Sequence, residues 1–348
     1  MPKDRRPTLA DVAKRSGMSK SAVSMILNEK PGSRLSAEAA ERVKAAAEEL
    51  GYRPNPAAQS LRLGKTDTIG FISDDVILTR QASGMIRGAL DAAKEHGQTV
   101  LIAEASDGLA TREEAIQQML DRRVDGIILG LMRARLVEVP KVPASVPFVV
   151  ANGATPDGLD GFLPDEYAAG YAMARLLVDA GHRRVGIAGK MVPAYGNPGV
   201  SVTIPLRFDG ILKAFEEGGV DWEMVDVYGW NATVGYDATH DLMARHPDLT
   251  AILAANDEVA FGAYQALTKL GMRIPADVSV ASFDNEVLAT YQRPGLTTAH
   301  LPYEEMGRRA VEMILGLRPR GRELLDMPIV VRDSIAPPRP APVETMGA

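Results

Sequence analysis

Cysteine is absent from the 348 residues, which excludes disulfides, thiolate metal sites and cysteine nucleophiles. Aromatic residues are few, with 2 Trp, 9 Tyr and 7 Phe, as in an ordinary soluble globular protein. No apolar run approaches the roughly 20 residues needed to span a bilayer. The charged start, MPKDRRPTLADVAKRSG, lacks the apolar stretch of a signal peptide. No GxGxxG or Walker motif occurs, so a nucleotide cofactor is not indicated. The five histidines show no metal-binding spacing; His240 and His246 are six apart. These absences make a reducing, cytoplasmic setting the expectation, with no cofactor, no metal and no membrane partner.

What is present reads as an ordinary soluble globular chain, 46% hydrophobic and 24% charged, long enough for two or three compact units. The net charge of -6 is unevenly spread. Residues 1–65 hold 13 Lys/Arg against 7 Asp/Glu, a net of +6, and the rest holds 26 against 38, a net of -12. A small basic head on an acidic body points to a nucleic-acid partner for the head alone.

The head carries helix signals at short intervals. Thr8 followed by Asp11 is close to a capping box, Leu9, Val12 and Ala13 recur at helical spacing, and Gly17 suits the stop. Ser19 can cap a second helix from Lys20 to about Leu27, and Ser36 a third, Ala-rich helix to about Leu50. Three short helices with a glycine turn between the first two make a helix-turn-helix, whose second helix enters the major groove. Asn55, Pro56 and Gly64 then bound a helix of about eight residues, too short to be stable alone. A linker helix that folds only against DNA or a second copy is a workable switch.

From Thr68 onward short apolar runs alternate with helical stretches. Ile69–Ser73, Thr99–Ala103, Val124–Leu129 and Pro147–Ala151 read as strands, with helices over Gly84–His96 and Arg112–Arg122. A second set comprises the helices Glu166–Ala180, Arg207–Glu217 and Val259–Leu270, with strands over Arg184–Ala188, Ala251–Ala254 and Ser279–Phe283. Such alternation implies parallel, doubly wound sheets that bind ligands at the carboxyl ends of their strands.

In TLADVA (8–13), SKSAVSMILN (19–28) and LGYRPNPAAQSL (50–61) the chain resembles the LacI/GalR family of bacterial repressors. The likeness continues through Val124–Leu129, GHRR (181–184), AND (255–257), Val278–Asp284 and LTT (296–298). It implies an all-α helix-turn-helix head plus a two-lobed α/β effector domain of the periplasmic-binding-protein-like (type I) kind, with parallel doubly wound sheets. The boundaries it suggests are a DNA-binding domain over 1–54, a hinge helix and linker over 55–66, and an effector domain over 67–337. Lobe one is expected at 67–165 and 297–326, and lobe two at 166–296 and 327–337, with crossings near Asp165, Leu296 and Asp326. The Pro-rich tail, 338–348, lacks the heptads that make some relatives tetramers, so a homodimer is expected.

By the same resemblance the DNA-binding residues are Thr8, Ser19, Lys20, Ser21, Ser24, Met25, Asn28, Arg34, Asn55, Ala58, Leu61 and Arg62. Lys20, Ser21 and Met25 fall where relatives read base edges, and Leu61 where they wedge into the minor groove. Met25 stands where relatives usually carry arginine, which can bond guanine in bidentate fashion; methionine offers apolar contact only, or simple helix surface or core. The effector-binding set is Asp74, Asp75, Arg80, Asn152, Arg207, Trp230, Asn256 and Asp284. Arg207 fits the R-x-x-G pattern of the family's clamp arginine, Asn256 and Asp284 match groups that bond ligand hydroxyls, and Trp230 an aromatic wall. Ordinary structural roles compete at each: ion pair for Arg207, cap for Asp284, turn former for Asn256, core for Trp230. Asn152 stands where aspartate is frequent, and Asp74–Gln81 departs from the usual Asn-Pro-Phe-type segment.

The expected function is a sequence-specific transcription regulator, a repressor, binding a pseudo-palindromic double-stranded operator as a dimer and switched by a small polar effector, a sugar. The alternative is an activator or co-repressor-dependent regulator sensing a non-sugar ligand. Enzymatic activity is not expected: Asp74 and Asp75 mimic a catalytic pair, but chain neighbours seldom converge on one bond.

Overall fold

The computed structural model describes residues 7–27, 35–53, 64–74, 80–105 (backbone alone at 80–82) and 108–339. They fall into two units, Met1–Asp67 and Thr68–Ala348.

The first unit contains α1 (Leu9–Ser16), α2 (Lys20–Leu27) and α3 (Ala37–Leu50). The Asp11 carboxylate accepts from the Thr8 backbone N at 2.8 Å and the Thr8 hydroxyl at 2.7 Å, fixing the start of α1. Gly17 takes φ +69°, so α1 can stop and α2 begin within three residues. The Ser19 hydroxyl oxygen then accepts from Ala22 N, and that of Ser36 from Ala39 N, both at 3.2 Å. Two eight-residue helices cannot persist alone. They are held by a shared core of Val12, Ala13, Val23, Ile26, Val43, Ala46 and Ala47.

The second unit has two six-stranded sheets. In lobe one the strands β1 (Thr68–Ser73), β2 (Thr99–Glu104), β3 (Gly126–Leu136), β4 (Phe148–Ala154), β5 (Gly161–Pro164) and β11 (Arg322–Leu325) lie in the order β11-β5-β4-β3-β1-β2. All its pairings are parallel. The helices α4 (Arg80–Glu95), α5 (Leu109–Asp121) and α11 (Tyr303–Ile314) cover it. In lobe two the order is β12-β10-β9-β8-β6-β7, from β6 (Arg184–Met191), β7 (Asp221–Val227), β8 (Ala251–Ala254), β9 (Ser279–Asp284), β10 (Thr297–His300) and β12 (Ile329–Val330). Here α6 (Glu166–Asp179), α7 (Ile204–Gly218), α8 (Ala232–Arg245) and α9 (Asp257–Lys269) form the cover, with the short α10 (Val287–Tyr291) packed on α9.

Two of the differences from the sequence reading bear on how the lobes are joined. Thr297–His300 was expected to open the return to lobe one, yet it pairs parallel with Ala281–Asp284 and antiparallel with Ile329–Val330, inside the sheet of lobe two. The backbone N–H of Thr297 donates to Ser334 Oγ and the Thr298 hydroxyl to Asp257, all four buried, so this strand cannot leave the lobe. The crossing therefore comes at Leu301–Pro302, not at Leu296.

The second difference is β3, which runs seven residues beyond Leu129. The 137–147 connection to the parallel β4 contains no helix, although a helix is the usual crossover. Pro140, Pro143 and Pro147 explain this, because each removes a donor and clashes with the preceding turn. Val139, Val142 and Val146 pack instead on the lobe-one core.

Candidate functional site

On α2, Lys20 and Ser21 are exposed, while Ser24 and Met25 are half-buried. Ser19 is exposed with its oxygen engaged as a cap, and Thr8 is half-buried on Asp11. Lys20 and Ser21 are thus free to face a partner at the start of the second helix, where a helix-turn-helix presents its reading residues. Asn28, Arg34, Asn55, Ala58, Leu61 and Arg62 lie outside the described residues.

Between the two lobes lies a cavity of about 580 Å³, in the range of small-molecule sites. It brings together Asp74, Asn152, Arg207, Trp230, Asn256 and Asp284, drawn from both lobes. Asp75 and the Arg80 side chain lie outside the described residues.

Arg207 organises the cavity. It is 2% exposed. Its Nε and Nη2 donate to the two oxygens of Glu166 at 2.6 and 2.7 Å, and its Nη1 donates to the Ala255 carbonyl. Three of five guanidinium N–H groups are engaged, which leaves two for a ligand. The guanidinium is flanked by Phe283 at 4.4 Å and Trp230 at 5.3 Å from their ring centroids, a sandwich that fixes its plane. The fork is fixed by backbone packing as well. A Cβ on Gly170 of α6 would sit 2.1 Å from the Arg207 carbonyl oxygen, so only glycine lets α6 and α7 approach closely enough for this pairing. Trp230 is locked too, its indole N–H donating to Gly189 O at 2.6 Å.

Asp284 lies 3.6 Å from Arg207 Nη2 at φ +102°, and its Oδ1 is buried with no hydrogen-bond partner. Burial pushes its carboxyl up to about 8, with the Arg207 charge acting against it and Asp257 and Glu166 adding to it. Arg207 cannot hold Asp284 ionised because Glu166 already takes its charge in bidentate contact. Across the cavity Asn152 is also in the left-handed region, at φ +59°. Its Nδ2 donates to Leu131 O at 2.8 Å, and its Oδ1 is buried without a partner. The cavity therefore holds two unpaired acceptors, one from each lobe, and an unpaired edge of a guanidinium. Buried polar atoms are rarely left so, and a ligand carrying hydroxyl donors would satisfy them.

Two of the expected residues do other work as well. Asn256 caps α9, its Oδ1 accepting from Val259 N at 2.8 Å, which leaves its amide NH2 to offer the cavity. Asp74 lines the wall but both oxygens are engaged, Oδ1 by Met132 N at 3.0 Å and Oδ2 by Arg135 at 2.5 Å. Glu166, Phe283 and Tyr303 escaped the sequence reading as site residues. Glu166 reads locally as an ordinary first-turn acid complementing a helix dipole, and its partner is 41 residues away.

Among the described residues no His/Asp/Glu group could hold a metal ion, and no helix is long and apolar enough to cross a membrane.

Comparison with known proteins agrees with both halves. Residues 8–55 match the model of bacterial regulatory proteins, lacI family, and residues 174–335 the periplasmic binding protein-like domain. The HTH-type transcriptional repressor PurR of Serratia proteamaculans (strain 568) is 30% identical over 316 residues, 88% of this chain and 89% of that protein. Its namesake in Pectobacterium carotovorum subsp. carotovorum (strain PC1) is 30% identical over 317 residues with the same coverage. Among solved structures, the lac repressor dimer bound to operator and the anti-inducer ONPF superposes with TM-score 0.75 at 26% identity, over 95% of this chain and 100% of that one. A transcriptional regulator CelR–cellobiose complex gives 0.60 at 26% identity, over 94% and 100%. A helix-turn-helix head, a clamped arginine in an interlobe cleft and these relatives converge: the chain belongs to the LacI family of bacterial regulatory proteins.

Proposed function

We propose that this protein is a cytoplasmic transcriptional repressor that binds a pseudo-palindromic operator as a homodimer and is switched by a small, neutral, polyhydroxylated effector in the interlobe cleft. The observation that carries the effector assignment is the Arg207 fork, with unpaired Asp284 Oδ1 and Asn152 Oδ1 around one cavity. Sugar hydroxyls can donate to both carbonyl-type oxygens and accept from the two remaining guanidinium N–H groups. Trp230 gives the apolar face of a ring a surface to rest on. The buried cation is already paired with Glu166, so an anionic ligand gains little here.

The effector must favour one lobe arrangement to shift operator affinity; a coupling of about 1–3 kcal/mol corresponds to roughly 5- to 150-fold. Related proteins solved with operator and anti-inducer, or with cellobiose, support this assignment by analogy. The test is selection of binding sites from random duplexes with the full chain, then titration of the selected duplex with and without a panel of mono- and disaccharides. A two-fold-related motif whose affinity moves with at least one neutral sugar is expected. Enrichment of no motif, or a motif indifferent to every compound that binds the cleft by calorimetry, would overturn the proposal.

A further inference from the structure

The extended end of β3 and the loop between β6 and α7 meet at the wall of the cavity. Val202 N donates to Ala134 O at 2.7 Å, and Leu136 N donates to Pro198 O at 2.8 Å. Ala134 and Leu136 belong to lobe one, and Pro198 and Val202 to lobe two. The two lobes are thus joined by backbone hydrogen bonds as well as by the three crossings at 164–166, 301–302 and 326–328. Three crossings alone leave a hinge free to open; strand-like bonds between the lobes must break first.

Both sides of this contact are braced. On the lobe-one side Asp74 grips the β3 extension through Met132 N and Arg135. On the lobe-two side Val200 N and Ser201 N turn back on Asn197 O, and the Ser201 hydroxyl oxygen accepts from Thr203 N at 3.1 Å and Ile204 N at 3.0 Å. That serine ties the loop to the first turn of α7, three residues before Arg207. The cavity wall here is Met132 and Ala134 from β3, Met191 from the end of β6, and Pro193, Val200 and Ser201 from the loop.

We infer that residues 131–136 and 192–203 form an interlobe latch, whose backbone hydrogen bonds hold the two lobes together beside the cavity and must break before the lobes can part. Its regulatory meaning rests on the cleft being the effector site. Its existence does not, and the test needs neither ligand nor DNA. The latch ties any parting of the lobes to the breaking of these bonds. It also carries ligand-induced movement to both lobes, because the same segments contact the cavity and hold the lobes together.

The experiment is amide hydrogen exchange on the full, ligand-free chain, resolved at Leu136 and Val202. Closed-latch protein should protect both amides: Val202 lies outside the strands of lobe two, and Leu136, the last residue of β3, gives its N–H to Pro198 of the other lobe. Val202→Pro deletes one donor and should speed exchange at Leu136, 66 residues away in the other lobe, by about 2- to 10-fold, the net value of one hydrogen bond. Ile128 in the middle of β3 should not change, and it reports that the fold is intact. If Ile128 loses protection, the reciprocal variant Leu136→Pro, read at Val202, replaces it. Free exchange of both amides in the unmodified chain overturns the latch. So does protection of Leu136 that is indifferent to Val202→Pro with Ile128 intact.

Discussion

Breaking the Arg207–Glu166 pair from one side should be far more damaging than removing both partners. The side chains of Arg207 and Glu166 are 2% and 4% exposed, so neither charge can recover its hydration when the other is lost. Arg207→Ala strands a buried carboxylate and the Ala255 carbonyl, and Glu166→Ala strands a buried guanidinium. Each should cost about 3–5 kcal/mol, a large share of the roughly 5–15 kcal/mol that holds a typical domain folded. The double variant Arg207→Met/Glu166→Leu fills similar volume without charge. Only the carbonyl loses its donor, at about 1–3 kcal/mol, and Asp284, protonated below about pH 8, leaves no stranded charge. The double variant should therefore be more stable than either single, with a coupling energy of about 2 kcal/mol or more. Urea unfolding of the full chain, followed by Trp230 fluorescence and circular dichroism, measures all four corners of the cycle. Singles costing under about 1 kcal/mol each, adding within about 0.5 kcal/mol in the double, would refute the buried-pair reasoning.

Three further outcomes are expected. The carboxyl of Asp284 is held at about 8 in the folded protein, above its unfolded value near 4. Its contribution is therefore complete below about pH 4 and is lost as pH rises through 8; thermal melting should show Asp284→Asn losing less stability than the parent between pH 6 and 9, and parallel curves would contradict this. Gly170→Ala forces a Cβ against the Arg207 carbonyl and should destabilise by about 1–3 kcal/mol, seen as a lower urea midpoint; an unchanged midpoint would show that α6 and α7 can part without cost. Met25→Arg should move the motif selected from random DNA toward a guanine in each half-site, and identical motifs would mean that position 25 does not read bases.

The sequence disclosed the helix-turn-helix because its signals are local: Thr8, Gly17, Ser19 and Ser36 act within three residues of themselves. Arg207, Asn256, Asp284 and Trp230 were legible through family motifs, and the structure gathers them around one cavity. Glu166 was invisible because nothing nearby in the chain distinguishes a clamp acid from a helix-start acid. The strand Asp221–Val227 was missed because it is a sheet edge, carrying Asp221, Glu223 and Asp226 among its apolar residues. The long β3 escaped because its last residues, Arg133-Ala-Arg-Leu136, owe their extended form to partners in distant segments. Thr297–His300 was assigned to the wrong lobe for the same reason: a crossing point is set by which sheet offers the hydrogen bonds, and composition does not record that.

On the proposed function, the interlobe cleft governs operator affinity through Arg207. The most direct measurement is titration of the selected operator by the parent chain and by Arg207→Met/Glu166→Leu, each with and without a neutral sugar that calorimetry shows to bind the parent. Equal ligand-free affinities are expected, with a shift of roughly 5- to 150-fold in the parent and no shift in the double variant. A full ligand response in the folded double variant would contradict this.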